Sequence, residues 1–402
     1  MDVFSKLKKV NFIPVVSAAV LEAMHAEKYS LDGRQCSFAS PNSIYSYDKC
    51  LVNPLSNFKA LVIALEYIRE DVILFSDSGG LQELTLGKKM QTPEQVVLWQ
   101  EENVHIGFSL DSIPLKFEND NNRGIGKKLF FDSKNFVMHA EKSAENIYRA
   151  NDVRSKPGFR FYAIIQGQNY QSYKQWFSII DNKQIDGYCL KSANLHSLSM
   201  AETCLFAYHN LSKPIHFLGV ENFSRSVICI YLSKYYKHPI SFDGSSWSMG
   251  CRIRNYRLPF SISKGVQFLS EDVEANENVD DDLIGTLSNI DSFNFCHCPA
   301  CQLVLDFNKM KDDLRFGMLL SLHNLWHTVS RSALIEKMIY NRQLLDNFVR
   351  AAVSKSSAER VIGAFDFIDL GVEKGYELAR EKYKFLIQSN EDFVKQTSVL
   401  DF

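Results

Sequence analysis

RFYAIIQGQNYQSYKQWFSIIDNKQIDGYCLKS, residues 160–192, decides the fold. Its first part, RFYAIIQGQ (160–168), is an apolar run that turns polar at Gln166. Residues 169–180 then space their apolar side chains as one face of a helix. A second apolar run, IDGYCLKS (185–192), ends near Lys191. Strand, helix, strand in that order is a βαβ unit, and it needs parallel strands. Runs that stay apolar on successive positions belong to strands covered on both faces, as parallel strands are.

Outward from this stretch the same pattern recurs. VILFSDSGG (72–80) ends at Asp77, VHIGFSLDS (104–112) at Asp111, PIHFLGVEN (214–222) at Gly219 to Glu221, and HPISFDGSS (238–246) at Asp243. Fainter strand signals lie near 10–16 and 50–56. Helical spacing covers 92–103, 133–150, 197–211 and 224–237. The first of these, TPEQVVLWQEEN, carries its own start signal: Thr92 as N-cap, Pro93 at the first helical position and Gln95 to complete a capping box. The strand signals together suit an α/β fold, a TIM (β/α)8 barrel, with an open doubly wound sheet as the rival. In a barrel the C-terminal strand ends carry the chemistry, and here those ends hold Asp77, Asp111, Gln166 and Asp243.

The chain has 402 residues, of which 46% are hydrophobic and 23% charged, with a formal net charge of −2. That composition excludes a mainly disordered chain and a histone-like binder, though not an enzyme with a local basic channel. There is no apolar run long enough for a membrane span. Pro14, Asn11, Ser17 and Glu22 interrupt the apolar N-terminal stretch, which reads as a first strand and helix in preference to a signal peptide. The expected setting is the cytoplasm of a bacterial or phage-infected cell.

Nine cysteines are present, and three of them, Cys296, Cys298 and Cys301, fall within six residues. An odd number with one tight cluster suits a reducing compartment and a metal site. The helical stretch that follows carries His323 and His327, four residues apart and so on one helix face. Three thiolates and one imidazole make a tetrahedral Cys3His set for Zn2+, with no open position, so the metal is expected to be structural. The alternative is three buried or redox cysteines. The acidic stretch 270–294 reads as a surface excursion ahead of this cluster, and 302–388 is helical in pattern. The expected division is 1–260 for the main part of the barrel, 261–330 for the excursion and zinc subdomain, and 331–402 for a C-terminal helical segment.

Asp77 sits in DSGGLQ and Asp243 in FDGSS, each followed by small residues. Either can be a plain turn aspartate. Carboxylates at three strand ends of one barrel would instead face one mouth, where like charges and burial set a proton-carrying acid beside an ionised nucleophile.

These residues resemble the tRNA-guanine transglycosylase superfamily from about residue 70 to about 330. The resemblance rests on DSGG-x-Q (77–82), Asp111, IIQG (164–167), FLGV (217–220), FDG (242–244), IRNYR (253–257), SED (270–272), the C-x-C-x2-C cluster and LHNL (322–325). It implies that His323 is the fourth zinc ligand, with Cys296, Cys298 and Cys301. It implies that Asp243 is a nucleophile bonding the sugar C1′ and Asp77 a general acid/base. Asp111 and Gln166 would bind the base edge, and Ser78, Gly79, Gly80, Gln82, Gly167, Leu218 and Gly219 would line the base site.

The chain departs from that family at Leu81 and Leu218, where the family has an aromatic residue and a methionine. Cys189-Leu190-Lys191-Ser192 stands in place of a glycine-rich segment, and the step from Cys301 to His323 is about one helical turn shorter. The departures bring it nearer the DpdA-type DNA 7-deazaguanine transglycosylases. The implied substrates are DNA and a 7-deazaguanine such as 7-cyano-7-deazaguanine (preQ0). tRNA is the alternative nucleic acid, and a non-catalytic partner subunit the alternative role. A helper ATPase and a homodimer are further expected partners. Arg252, Arg254 and Arg257, Lys88 and Lys89, and Lys309, Lys311 and Arg315 are candidate phosphate contacts, with a solvated surface face as the alternative for each, and Trp247 and Tyr256 are candidate stacking residues, with a place in the core as the commoner alternative.

Overall fold

The computed structural model describes residues 3–16, 20, 23, 26–53, 65–80, 91–117, 128–180, 184–193, 195–220, 222–248, 255–257, 265–268, 273–275, 296–303, 313–384 and 397–398. Eight parallel strands form one sheet: β1 (Val10–Pro14), β2 (Lys49–Val52), β3 (Ile73–Ser76), β4 (Ile106–Phe108), β5 (Arg160–Ile165), β6 (Gly187–Lys191), β7 (Ile215–Leu218) and β8 (Ile240–Gly244). From β3 to β8 each strand of this sheet lies beside the one before it. β1 then pairs with β8, from Val10 opposite Ile240 to Pro14 opposite Gly244. The two remaining edges meet where Val15 bridges Leu51, and the Val16 amide donates to the Leu51 carbonyl at 2.9 Å. The sheet is therefore a nearly closed barrel, and the open doubly wound alternative falls.

Helices α1 (Pro93–Asn103), α2 (Phe136–Val153), α3 (Tyr170–Ile180), α4 (Ser197–Asn210) and α5 (Phe223–Leu232) follow β3 to β7 in turn. They wrap the sheet because its outward side chains, Phe12, Leu74, Phe161, Leu190, Phe217 and Phe242 among them, share one apolar cluster with the helices. After the barrel come α6 (Phe316–Met338), α7 (Arg342–Ala352), α8 (Lys355–Lys374) and α9 (Tyr376–Lys382). α6 packs on β1, α5 and the turn Ser246–Ser248, and α8 packs on α4 and α5. The late helices thus lie on the barrel wall itself.

Two elements differ from the sequence reading. The run 104–112 supplies a strand only at Ile106–Phe108, so Asp111 stands three residues beyond the strand end. Side chains of α2 hold that extension: Asn146 donates to the Leu110 carbonyl at 3.0 Å, and Ser143 Oγ accepts from the Ser112 amide at 2.8 Å. The helix expected over 224–237 stops at Leu232, because a run of tight turns carries the chain on to β8. Much of the acidic stretch 270–294 lies outside the described residues; Val273–Ala275 within it is the third strand of a small antiparallel sheet with Asn255–Arg257 and Gly265–Phe268.

Candidate active site and metal centre

Inside the barrel, side chains alternate with a period of two. Ile13, Leu51, Ile73, Phe75, Ile106, Phe108, Tyr162, Ile164 and Cys189 form a separate dry cluster, closed at the N-terminal end by Val3 with Phe4 and Leu7. Continuing each strand by two residues reaches Asn53, Asp77, Gln166 and Lys191. On the last two strands His216 packs against the rings of Phe75 and Phe108, at centroid distances of 5.9 and 4.9 Å. The lumen is thus apolar below and polar at the C-terminal end, where a barrel keeps its chemistry.

Asp243, near the end of β8, is buried at 8% exposure. Its Oδ1 accepts from the Gly219 amide at 2.8 Å and lies 3.2 Å from His216 Nε2. Gly219 can present its amide this way because its φ is +71°; a Cβ there would also meet the Ala193 Cβ at 2.9 Å. His216 is fully buried, and its Nδ1 lies 2.9 Å from Ser241 Oγ.

Asp77 follows β3 and is gripped on both oxygens. The Ser78 amide donates to Oδ1 at 2.7 Å, and Asn53 Nδ2 donates to Oδ2 at 3.1 Å. Asp111 and Gln166 are buried, and Gln166 Nε2 donates to Asp111 Oδ2 at 2.6 Å. The DSGG loop comes close to this pair: a Cβ on Gly80 would lie 3.1 Å from Asp111 Oδ1.

The electrostatics show that the three carboxylates share one space. Burial, then the charge of Asp243, pushes the Asp77 carboxyl above the usual range. Burial pushes Asp111 up to about 7, and the charge of Asp77 adds to it while the Gln166 hydrogen bond opposes. Beneath them the Cys189 thiol is raised by burial and by the charges of Asp77, Asp243 and Asp111. Desolvation dominates each shift, and like charge adds to it. One group able to carry a proton near neutrality, Asp111, thus shares its space with two further acidic side chains.

Among the remaining expected site residues, Ser78 is buried, with its Oγ 3.4 Å from the Gly80 amide. Gly79 holds a φ of +82°. Gly167 backs onto the Tyr173 ring. Leu218 faces the lumen beside the dry cluster. Gln82, with Leu81, Lys88, Lys89, Arg252, Arg254, Lys309 and Lys311, lies outside the described residues. Trp247 is a core residue, not a stacking platform: it is 1% exposed, donates to the Val15 carbonyl at 3.1 Å and meets Phe38 edge-on. Arg315 is tied to Asp313 and to the Ser30 carbonyl, so it is a structural link in place of a phosphate contact. The sequence reading missed His216 and Asn53, and it placed Lys191 at a strand end without giving it a role. Lys191 ends β6 between Gln166 and Leu218, and burial with the charge of Arg225 lowers its amine to about 8.

The second cluster lies at the start of α6. Cys296, Cys298, Cys301 and His323 are all buried, and one ligand atom from each falls within 4.8 Å of all the others. His323 Nδ1 is 3.6 Å from Cys296 Sγ and 3.3 Å from both Cys298 and Cys301 Sγ. Four such atoms around one tetrahedral ion would stand about 3.5 Å apart, so the group could hold a metal ion. Neighbouring thiols lower Cys296 and raise Cys298 and Cys301, because sulfurs packed this closely favour charge on one of them at a time. His327 reaches only Cys296, at 3.2 Å, which separates the two histidines that spacing alone could not. Among the described residues no helix is long and apolar enough to cross a membrane. No protein-family model matches this chain, and no curated protein matches it in sequence.

Proposed function

We propose that the chain is a pentosyltransferase of the guanine transglycosylase type, which replaces guanine in DNA with a 7-deazaguanine such as preQ0. The observation that carries this reading is the meeting of Asp77, Asp111 and Asp243 at one mouth, with one carboxylate fixed and two raised. Two acidic groups with different environments are what a two-step glycosyl exchange needs.

In this reading an extruded nucleotide enters the mouth, because its sugar carbon is out of reach within a stacked duplex. Asp243 attacks C1′ and the bond from C1′ to guanine N9 breaks. Asp77, protonated more readily than an ordinary carboxyl, gives its proton to the departing base. The incoming 7-deazaguanine then returns its ring N–H proton to Asp77 and bonds C1′, releasing Asp243. Asp111 and Gln166 bind the base edge, where a mismatched base would leave buried polar groups unsatisfied. Ser78, Gly79, Gly80, Gly167, Leu218 and Gly219 enclose it. The fold is then a TIM (β/α)8 barrel, and the Cys3His group binds Zn2+ as a structural ion with no part in the reaction.

The test is incubation with duplex DNA, or with tRNA, and labelled preQ0, followed by denaturing gels. Label in DNA, and a covalent protein–DNA adduct absent from Asp243→Ala, is the expected result. Label in tRNA alone would move the substrate to tRNA. No adduct on either would favour a non-catalytic partner subunit.

A further inference from the structure

We infer that His216 is a positioning residue for Asp243. With the Gly219 amide it holds Oδ1, so that Oδ2 is the oxygen presented to the mouth. This rests on the reading of Asp243 as the group that attacks the sugar. Both observed contacts to the carboxylate fall on the same oxygen: Gly219 N at 2.8 Å and His216 Nε2 at 3.2 Å. Among the described residues no side chain or amide donates to Oδ2. A carboxylate only accepts, so Nε2 must carry the proton in this contact.

Ser241 makes that tautomer available. Its hydroxyl lies 2.9 Å from His216 Nδ1 and 3.2 Å from the Ile215 carbonyl, and it has one proton to give. Donated to Nδ1, that proton leaves a neutral ring with its own N–H on Nε2. Donated to Ile215, it makes the serine an acceptor for an imidazolium. Both arrangements aim an N–H at Asp243. Phe75 and Phe108 fix the ring plane from the lumen side, so the donor is built into the wall and not borrowed from a loop.

The arrangement bears on both half-reactions. When the bond from Oδ2 to C1′ forms, Oδ1 becomes the carbonyl oxygen of a glycosyl ester, still facing two donors. When the incoming base breaks that bond, the electron pair returns to the carboxylate, and the same donors stabilise the charge as it develops.

Variants at His216 and Asp243 and one spectrum test this. His216→Phe keeps an aromatic ring against Phe75 and Phe108 but has no donor. His216→Gln restores a donor. Single-turnover adduct formation with DNA should fall roughly 10- to 100-fold in His216→Phe, the cost of one hydrogen bond to a charged group. His216→Gln should recover much of it, and thermal midpoints should not rank the variants in that order. In ligand-free protein with labelled histidine, a slowly exchanging downfield ring N–H should be present. It should vanish in both His216→Gln and Asp243→Ala. Adduct formation by His216→Phe at the wild-type rate, or no N–H signal depending on both residues, overturns the inference. A signal that behaves as expected in a protein forming no adduct on any nucleic acid upholds the clamp and counts against the base-exchange reading alone.

Discussion

A carboxyl raised to about 7 destabilises the folded state at neutral pH, and Asp111 is such a group. Its folded pKa stands above its unfolded value near 4, so the native state binds the proton more tightly. The penalty is absent below about pH 4, grows as pH rises, and is complete above about pH 7. Asp111→Asn keeps an acceptor for Gln166 and removes the titration. Urea unfolding should therefore find the variant's gain over wild type larger at pH 8 than at pH 5, by on the order of a few kcal/mol at most. An equal gain at both would mean the carboxyl is not raised. Asp77, Asp111, Gln166 and Asp243 were legible because each is a polar residue closing an apolar run. His216 was not, since a single histidine inside PIHFLGV reads as core, and only its period-two spacing with Leu218 marks it as inward. Asn53 gave one faint signal, a polar residue just past the strand KCLV.

Among the elements, helix α1 is the one most fully written in the sequence. Thr92 Oγ1 accepts from the Gln95 amide at 3.4 Å, and Gln95 Oε1 accepts from the Thr92 amide at 3.0 Å. Thr92→Ala should cost about 1 kcal/mol in chemical denaturation, as lost caps do. The turn after β7 has a different stake. Gly219→Ala places a Cβ against Ala193 and strains a φ of +71°, a cost of about 1–2 kcal/mol. It should lower the melting midpoint and slow adduct formation together, because the same amide holds Asp243. Adduct formation at full rate would separate that turn from the carboxylate. Strand ends were harder to read than strand existence: Ser109, Leu110 and Asp111 continue an apolar run yet leave the sheet, held by α2 through residues 31 and 36 positions further along the chain, which a local pattern does not reach.

For the molecule as a whole, the Cys3His cluster brings α6 against the preceding cysteines, and α6 in turn lies on β1. On the proposed reading that this cluster binds Zn2+, treatment with a chelator, or Cys298→Ala, should lose metal on elemental analysis and lower the unfolding midpoint, since ion binding and folding are coupled. Unchanged stability in a metal-free protein would argue for thiols serving some other end. Eight strand signals made a barrel legible, but not how it is sealed. The first strand joins the last along its whole length, whereas the first and second touch at one bridge. That unequal ring has a kinetic meaning. During synthesis the N-terminal strand must wait for its main neighbour until nearly the whole wall has left the ribosome, an exposed ribbon edge in the interim. In the finished protein the thin join beside Val16 is where amide exchange should begin, so the wall would open there like a stave barrel at its loosest hoop.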